Sequence, residues 1–182
     1  MPKQTLSASV IKIRLIITWK KSNRWALHMR LSTFVRSQGK FYIKVNMGYF
    51  IKKGHELGLE IHASLNVFCA GHNYFDRGMV YSGHPEWASM VYTPDKGIIP
   101  ITEEKHKYGA MINPLNEEYR THILNVLKEV VTKYPDLDGL MLDRVRYDGI
   151  TADFSSLSRK KFEEYIGKKV ANFPEDIFRW TK

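Results

Sequence analysis

The chain has 182 residues, enough for one ordinary domain with a hydrophobic core, and its formal net charge is +9. A single cysteine, Cys69, excludes an internal disulfide framework and a cysteine-rich metal site. The apolar run Val10–Trp19 is interrupted by Lys12 and Arg14, which makes it too short for a transmembrane helix and a poor secretion signal. We expect no membrane span, no cofactor and no metal ion, and the sequence has no readable export signal.

The positive charge is concentrated near the N-terminus. Residues 1–55 contain twelve Lys or Arg and no Asp or Glu, whereas residues 56–182 have a net charge of −3. We therefore divide the chain into a basic segment of uncertain fold, residues 1–45, and a domain, residues 46–182. Short β-prone runs at Val10–Trp19 and Phe41–Asn46 are compatible with strands of the same domain. A basic arm that binds nucleic acid and a start-site or reading-frame artefact are the alternatives.

A helix and a strand open the domain. Tyr49–Leu57 predicts the end of an amphipathic helix that stops at Gly58. The predicted apolar stripe of this helix is Phe50, Ile51 and Leu57. Leu59–Asn66 alternates apolar and polar residues, as a strand with one buried face does. His62 and Asn66 share its polar face, about 13 Å apart, where they can line a pocket; a satisfied core histidine is the competing interpretation of His62.

Residues 67–112 predict a long, loop-rich excursion in which aromatic residues stand among Gly, Pro, Asn and His. Trp87 and Tyr92, together with Tyr74 and Phe75, can stack on the apolar faces of sugar rings. The alternative is that these rings pack the loop onto its own domain. His55 and His72 are the other histidines near His62 in the sequence, and we expect no metal site here.

Three further helices are predicted. The first runs from Asn113–Pro114 to about Tyr134, the second from Ser156 to Ile166 with Gly167 just past its end, and a short closing helix covers Pro174–Trp180. The predicted apolar face of the second helix is Leu157, Phe162, Tyr165 and Ile166. The resulting helix and strand alternation is typical of a parallel α/β fold.

One predicted strand ends in charged residues. Leu140–Asp143 is a short apolar run that turns polar at Asp143 and Arg144, as expected of a buried parallel strand that delivers charge at its C-terminal end. A carboxylate in that position can act as a general acid, or it can form a structural ion pair with Arg144 or Arg146.

The chain from Gly54 to Trp180 resembles the glycosyl-hydrolase-like family 10 domain, a (β/α) barrel related to glycoside hydrolases. Five pieces carry the resemblance in the same order, namely Gly58–Asn66, His84–Trp87, Asn113–Pro114, Asp138–Tyr147 and Phe162–Trp180. It implies an α/β fold that is a partial TIM-type barrel, with Leu59–Asn66 and Leu140–Asp143 as its third and fourth strands. Ser64 replaces the aromatic residue that the family usually has, and the remaining barrel strands have no counterpart, so we expect about half a barrel.

The resemblance implies a glycoside hydrolase that uses carboxylate acid/base chemistry on a poly- or oligosaccharide, with Asp143 as one catalytic carboxylate. The expected substrate-binding residues are His62, Asn66, Arg144, Tyr147, Trp87 and Tyr92. The second carboxylate would lie on a later strand, and Asp148 and Asp153 are interpreted as solvated loop residues. We therefore expect the isolated chain to have little or no hydrolytic activity. A carbohydrate-binding protein without catalysis and, less favoured, a nucleic-acid-binding protein are the alternatives. Relatives of this family are usually exported.

Overall fold

The computed structural model describes residues 12–19, 31–34 and 47–178, the first two ranges for their backbone alone. Its strands are β1 (Lys12–Trp19), β2 (Leu31–Phe34), β3 (Leu59–Asn66), β4 (Cys69–His72), β5 (Arg77–Gly78), β6 (Met90–Thr93), β7 (Gly97–Pro100), β8 (Gly109–Met111) and β9 (Gly139–Asp143). Its helices are α1 (Met47–Glu56), α2 (Met79–Ser82), α3 (Glu117–Lys133) and α4 (Ser156–Ile166), with short 3-10 turns at Asn73–Phe75, Pro85–Trp87 and Ile101–Glu103. The predicted strand Phe41–Asn46 and the predicted boundary between residues 45 and 46 lie outside the described residues.

The predicted partial TIM-type barrel is wrong. The described strands form three small sheets, ordered β2-β1-β3-β9, β5-β4-β8 and β6-β7, in a mixed α/β fold, and no closed barrel is seen among them. β3 and β9 are parallel neighbours, as the barrel hypothesis requires, but β1 lies antiparallel on the other side of β3. In a (β/α) barrel every strand has a parallel neighbour on each side. β3 has the antiparallel β1 on one side, so this sheet is not part of such a barrel.

The chain divides into two compact units. The first combines the described residues up to Val67 with His122–Val145, and the second combines Phe68–Thr121 with the described residues from Arg146 onward. The first unit contains the four-stranded sheet and α1, and the second contains the two smaller sheets and α4. No described helix combines the length and the apolar character needed to cross a bilayer.

The core of the first unit lies between α1 and β3. Met47 and Ile51 of α1 pack with Ile61 of β3, and all three are buried. Gly54 allows the close approach, because a Cβ at this position would lie 2.5 Å from Cδ1 of Ile61. The predicted helix therefore exists, and Gly58 ends it with a φ of 71°. Leu57, by contrast, was wrongly assigned to the apolar stripe, since it is 72% exposed.

β9 forms one end of the described four-stranded sheet, next to β3. Its apolar residues Met141 and Leu142 are 44% and 48% exposed, so the prediction of a buried strand is wrong although the strand itself and its parallel pairing are confirmed. Burial of these side chains would require a layer packed against each face of the strand. Among the described residues, β9 has β3 on one side and no strand on the other.

Both long helices are confirmed, whereas the predicted apolar face is wrong in part for α4. α3 carries the buried residues Ile123, Val126 and Val130. The Ser155 side chain accepts a hydrogen bond from Ser158 N at the start of α4, and Gly167 ends that helix with a φ of 69°. Phe162 and Tyr165 of α4 are 37% and 89% exposed, whereas Glu163 between them is buried.

The predicted closing helix is the least regular of the predicted helices. Its described part, up to Phe178, is a turn in which Ile177 N and Phe178 N both donate to Pro174 O. The remainder of the predicted range lies outside the described residues.

Candidate functional site

The β3 and β9 ladder brings two of the predicted site residues together in the first unit. Asn66 is the register partner of Asp143, and Val67 N donates a hydrogen bond to Asp143 O. Arg144 follows at once with a φ of 57°, a left-handed conformation that a residue other than glycine seldom adopts. Asn66, Asp143 and Arg144 thus meet at the C-terminal ends of two parallel strands, where α/β folds place polar sites.

His62 lies farther back along the same ladder. It pairs in register with Gly139, four residues before Asp143, which corresponds to about 13 Å along the strand. Its ring covers Gly139, since a Cβ there would lie 2.7 Å from Nδ1 of His62, and its Nε2 is 3.6 Å from Oε2 of Glu60. Ser64, between His62 and Asn66 on the polar face, is buried. The polar face of β3 is therefore closed to solvent at Ser64, between His62 and Asn66.

Asp138, at the other end of β9, has a structural role. Its Oδ2 accepts a hydrogen bond from Ile61 N at 2.6 Å and lies 2.8 Å from Nε2 of His55. The bond from Ile61 N, followed by the contact with His55, holds the pKa of Asp138 below its usual range. The Asp138 carboxylate therefore connects α1, β3 and the turn before β9.

A second carboxylate beside Asp143 is not supplied by the strands that form this edge. The sequences of β1 (Lys12–Trp19) and β3 carry one acidic residue, Glu60, at the far end of β3 from Asn66. Six residues of strand separate Glu60 from Asn66, roughly 20 Å. Asp143 therefore lies at the C-terminal ends of β3 and β9, and the paired strands supply no second carboxylate close enough to act with it in catalysis.

Asp148 and Asp153, interpreted from the sequence as solvated, are both engaged within the second unit. Asp148 forms an ion pair with Lys107. Oδ1 of Asp153 accepts hydrogen bonds from the side chains of Asn113 and Ser158 and from Ser155 N, and Oδ2 accepts one from Met90 N at 2.7 Å. Asp153 is therefore a structural acceptor that connects four segments of this unit.

The remaining predicted site residues also belong to the second unit. Tyr147 is 37% exposed, and burial together with Asp153 raises its pKa. Trp87 is only 2% exposed; His84 stacks on it with ring centroids 3.7 Å apart, and Tyr119 meets it edge to face at 5.2 Å. An indole enclosed in this way packs its own unit and presents little free surface to a sugar.

Tyr92 is the predicted aromatic residue that lines a cleft. The cleft has a volume of about 340 Å³ and lies in the second unit. The residues that line it are Tyr92, Thr93, Pro94, Asp95, Lys96, Glu104, His106, Lys107 and Thr151. The Tyr92 ring rests on Phe154 and Phe178, with centroids 5.8 and 6.2 Å away, and its hydroxyl donates to Oε1 of Glu175 at 3.2 Å. Burial, reinforced by Glu175, raises the pKa of Tyr92, so its hydroxyl stays protonated.

The charged groups of this cleft are arranged around Glu104. Glu104 is 6% exposed; its Oε1 contacts Nζ of Lys96 at 2.9 Å and its Oε2 contacts Nδ1 of His106 at 3.0 Å. Both oxygens of Glu104 are thus occupied, and the side chains of Lys96 and His106 are held at the cleft. Sequence reasoning missed Lys96, Glu104 and His106; the signal available was the high density of turn residues and aromatic residues around them.

A further group of possible ligands lies elsewhere in the second unit. One ligand atom each from His84, Glu86 and Glu118 falls within 4.8 Å of the others. Nδ1 of His84 is 3.0 Å from Oε1 of Glu86, and Nε1 of Trp87 donates to Oε2 of Glu118 at 3.1 Å. No metal-ligand spacing was recognised in the sequence, because His84 and Glu118 lie far apart along the chain.

Comparisons with known proteins leave the family open. No protein-family model matches the chain, and no solved structure matches it. An S-layer-related protein of Niallia circulans is 40% identical over 138 residues, which cover 72% of this chain and 8% of that protein. DNA-directed RNA polymerase alpha subunits from two strains of Dehalococcoides mccartyi are 39% and 38% identical over 64 residues, 35% of this chain and 19% of each subunit. The chain thus spans a small part of each relative.

Proposed function

We propose that this chain binds an oligosaccharide in the cleft of the second unit and does not hydrolyse it. The observation that carries this proposal is the combination of the Tyr92 ring with polar side chains that are already oriented by ion pairs, in a cavity of about 340 Å³. Ligand pockets have volumes of roughly 300–1,000 Å³, so a short stretch of sugar rings is the appropriate size of ligand.

The composition of the cleft favours a sugar over a strongly charged ligand. Its two acidic residues, Asp95 and Glu104, balance its two lysines, Lys96 and Lys107. Lys96 and His106 contact Glu104, and Lys107 pairs with Asp148, so these groups are neutralised within the protein. A phosphate or nucleic-acid site would instead present an excess of positive charge. Hydroxyl groups need fixed donors and acceptors of both kinds, which the cleft provides.

The same contacts argue against hydrolysis in the cleft. Glycosidases need two carboxylates that face the glycosidic bond from positions roughly 5–10 Å apart. Both oxygens of Glu104 are held by Lys96 and His106, so this group is not available to transfer a proton to a sugar. We therefore place binding, and not turnover, in this cleft.

A glycoside-hydrolase function that depends on Asp143 is the second candidate. It is supported by the position of Asp143, opposite Asn66 at the C-terminal ends of two parallel strands. It also follows from the resemblance to the glycosyl-hydrolase-like family 10 domain. On this hypothesis the second carboxylate comes from outside the paired strands. Hydrolysis of a glycan panel that is abolished in Asp143→Asn would establish this role, and equal rates in both proteins would remove Asp143 from it.

The similarity to an S-layer-related protein suggests a setting for the binding function. We propose that the glycan belongs to a cell surface, where an S-layer-related protein would meet it. The alternative of nucleic-acid binding rests on the basic residues 1–55, most of which lie outside the described residues. A steep loss of DNA or RNA affinity with added salt would favour that alternative.

The test is glycan binding by the full chain. Wild-type protein is screened against cell-wall and plant oligosaccharides, and the best ligand is titrated by calorimetry. Tyr92→Ala should weaken binding by about tenfold, because the loss of an aromatic platform costs roughly 1 kcal/mol or more. Lys96→Met should weaken binding while it leaves the aromatic packing intact.

Tyr165→Ala is the matched control, since Tyr165 is 89% exposed on α4 and does not line the cleft. Thermal unfolding of each variant separates a lost ligand contact from a lost fold. Glycan affinity that is unchanged in both Tyr92→Ala and Lys96→Met, or the absence of any bound glycan, would contradict the proposal.

A further inference from the structure

Three potential metal ligands converge in the second unit from two separate segments of the chain. His84 and Glu86 flank the start of the 3-10 turn Pro85–Trp87, and Glu118 lies in the first turn of α3. Pro85 occupies the first position of the 3-10 turn and places His84 just before it. The ligand atoms of the three residues lie within 4.8 Å of one another. Such a convergence of imidazole and carboxylate is produced by the fold and not by a local run of acids.

Trp87 orients two of the three ligands. The ring of His84 stacks on the indole with an interplanar angle of 10°, and the indole Nε1 donates to Oε2 of Glu118 at 3.1 Å. Trp87 is 2% exposed, so the group that orients these ligands is itself fixed by the core. Metal sites depend on outer groups that hold ligands in place in this way, and here one buried side chain serves a histidine and a glutamate together.

The chemistry of the three donors suits a divalent transition metal. One imidazole nitrogen and two carboxylate oxygens match Zn²⁺, which protein sites bind through nitrogen and oxygen donors with a fourth position open to water. Glu86 and Glu118 are exposed, so a bound ion would keep access to solvent. Two carboxylates also neutralise the charge of a divalent cation.

We propose that His84, Glu86 and Glu118 form a binding site for a divalent transition-metal ion such as Zn²⁺. The residues of this site are different from those that line the proposed glycan cleft. The two proposals can therefore fail independently.

The test is calorimetric titration of the full chain, without a polyhistidine tag, with Zn²⁺. His84→Phe keeps an aromatic ring to stack on Trp87 but removes the nitrogen ligand, and Glu118→Gln keeps the shape of the side chain but removes the charge. Each substitution should weaken Zn²⁺ binding by more than about tenfold, because even the loss of an outer group that orients a ligand costs roughly that much. Zn²⁺ should also raise the midpoint of thermal unfolding in the wild type and not in these two variants.

Glu117→Gln is the matched control, because Glu117 is the adjacent helix residue and contacts Arg120 at 3.6 Å. It should bind Zn²⁺ as the wild type does. The proposal is overturned if Zn²⁺ does not bind, or if His84→Phe and Glu118→Gln bind it as well as Glu117→Gln does.

Discussion

The two units of this molecule depend to different degrees on apolar packing and on polar side-chain contacts. In the first unit, β3 buries Ile61, Ala63 and Leu65 completely, and its core with α1 is apolar. Asp138 adds a polar side-chain bond to the backbone of Ile61 in the first unit. The second unit also has apolar residues in its interior, but several of its loops are joined by such bonds to distant backbone groups. Asn73, for example, is fully buried, donates to Ile101 O at 2.8 Å and accepts from the hydroxyl of Tyr81.

This difference determines where each unit can form a binding or catalytic site. In the regular sheet of the first unit, the polar groups that come together from neighbouring strands lie at the strand ends, as Asn66 and Asp143 show. Loops that are held by buried hydrogen bonds can instead bring together residues that are remote in sequence, such as Tyr92 with His106 or His84 with Glu118. The candidate binding sites accordingly lie in the second unit.

In the second unit, the largest effect should follow from Asp153→Ala. Four donors from Met90, Asn113, Ser155 and Ser158 would lose their shared acceptor in a half-buried position. We expect the free energy of unfolding to fall by about 4 kcal/mol, because unsatisfied donors cost roughly 1–3 kcal/mol each and water restores part of this. Urea unfolding measures the change. The exposed Asp95→Ala should change stability by less than about 0.5 kcal/mol, and an equally small effect for Asp153→Ala would refute the structural role.

Ile61→Ala should destabilise the first unit because it removes buried apolar contacts. Ile61 is fully buried against α1, and the lost contacts and the cavity should lower the free energy of unfolding by about 3 kcal/mol. Gly54→Ala should also destabilise the wild type, since its Cβ would lie 2.5 Å from Ile61 Cδ1.

In the Ile61→Ala background that clash is removed, so Gly54→Ala should become neutral or stabilise α1 by up to about 1 kcal/mol through helix propensity. Urea unfolding of the two single variants and the double variant measures this coupling. Strictly additive effects would show that the helix and the strand do not make this close contact.

Glu163 gives the second unit a specific acid sensitivity. Hydrogen bonds from Lys169, Arg159 and Val170 N lower the pKa of this carboxylate from 4.5 to about 2. The pKa is lower in the folded state, so the stabilisation is present above pH 4.5 and is lost as the pH falls towards 2. The thermal midpoint of the wild type should therefore fall more steeply across this range than that of Glu163→Gln. Glu164→Gln, at an exposed neighbouring position, should follow the wild type; parallel curves for all three proteins would contradict the assignment.

The smallest effect should come from Leu142→Lys on β9. Because Leu142 is 48% exposed, the change in the free energy of unfolding should stay within about 0.5 kcal/mol. The equivalent substitution in the neighbouring strand, Leu65→Lys, places a charge at a fully buried position and should prevent folding. Circular dichroism and urea unfolding distinguish the two outcomes. A severe loss in Leu142→Lys would restore the interpretation of β9 as an interior strand.

Prediction from the sequence succeeded where the signal was local. β3 spans the predicted Leu59–Asn66, and α4 spans the predicted Ser156–Ile166 with its serine cap and terminal glycine. These features depend on residues a few positions apart, so alternation and capping identify them. Which face of α4 is buried was predicted wrongly, because ion pairs and a backbone bond make Glu163 a better buried partner than Tyr165.

The candidate sites were predicted only in part. Asp143 and Asn66 were expected at the ends of neighbouring parallel strands, and their pairing is observed. The cleft residues Lys96, Glu104 and His106 were missed, as was the group formed by His84, Glu86 and Glu118. Residues 67–112 have no regular period from which such proximity could be calculated.

The order of residues along the chain was sufficient to define helices, strands and turns, since these depend on backbone propensities, capping and spacing over a few residues. The direction of β1 beside β3, the exposure of β9 and the assembly of Tyr92 with Glu104 were decided by tertiary packing. Contacts between segments tens of residues apart arise from mutual burial and hydrogen bonding, and these leave no periodic trace in either segment alone.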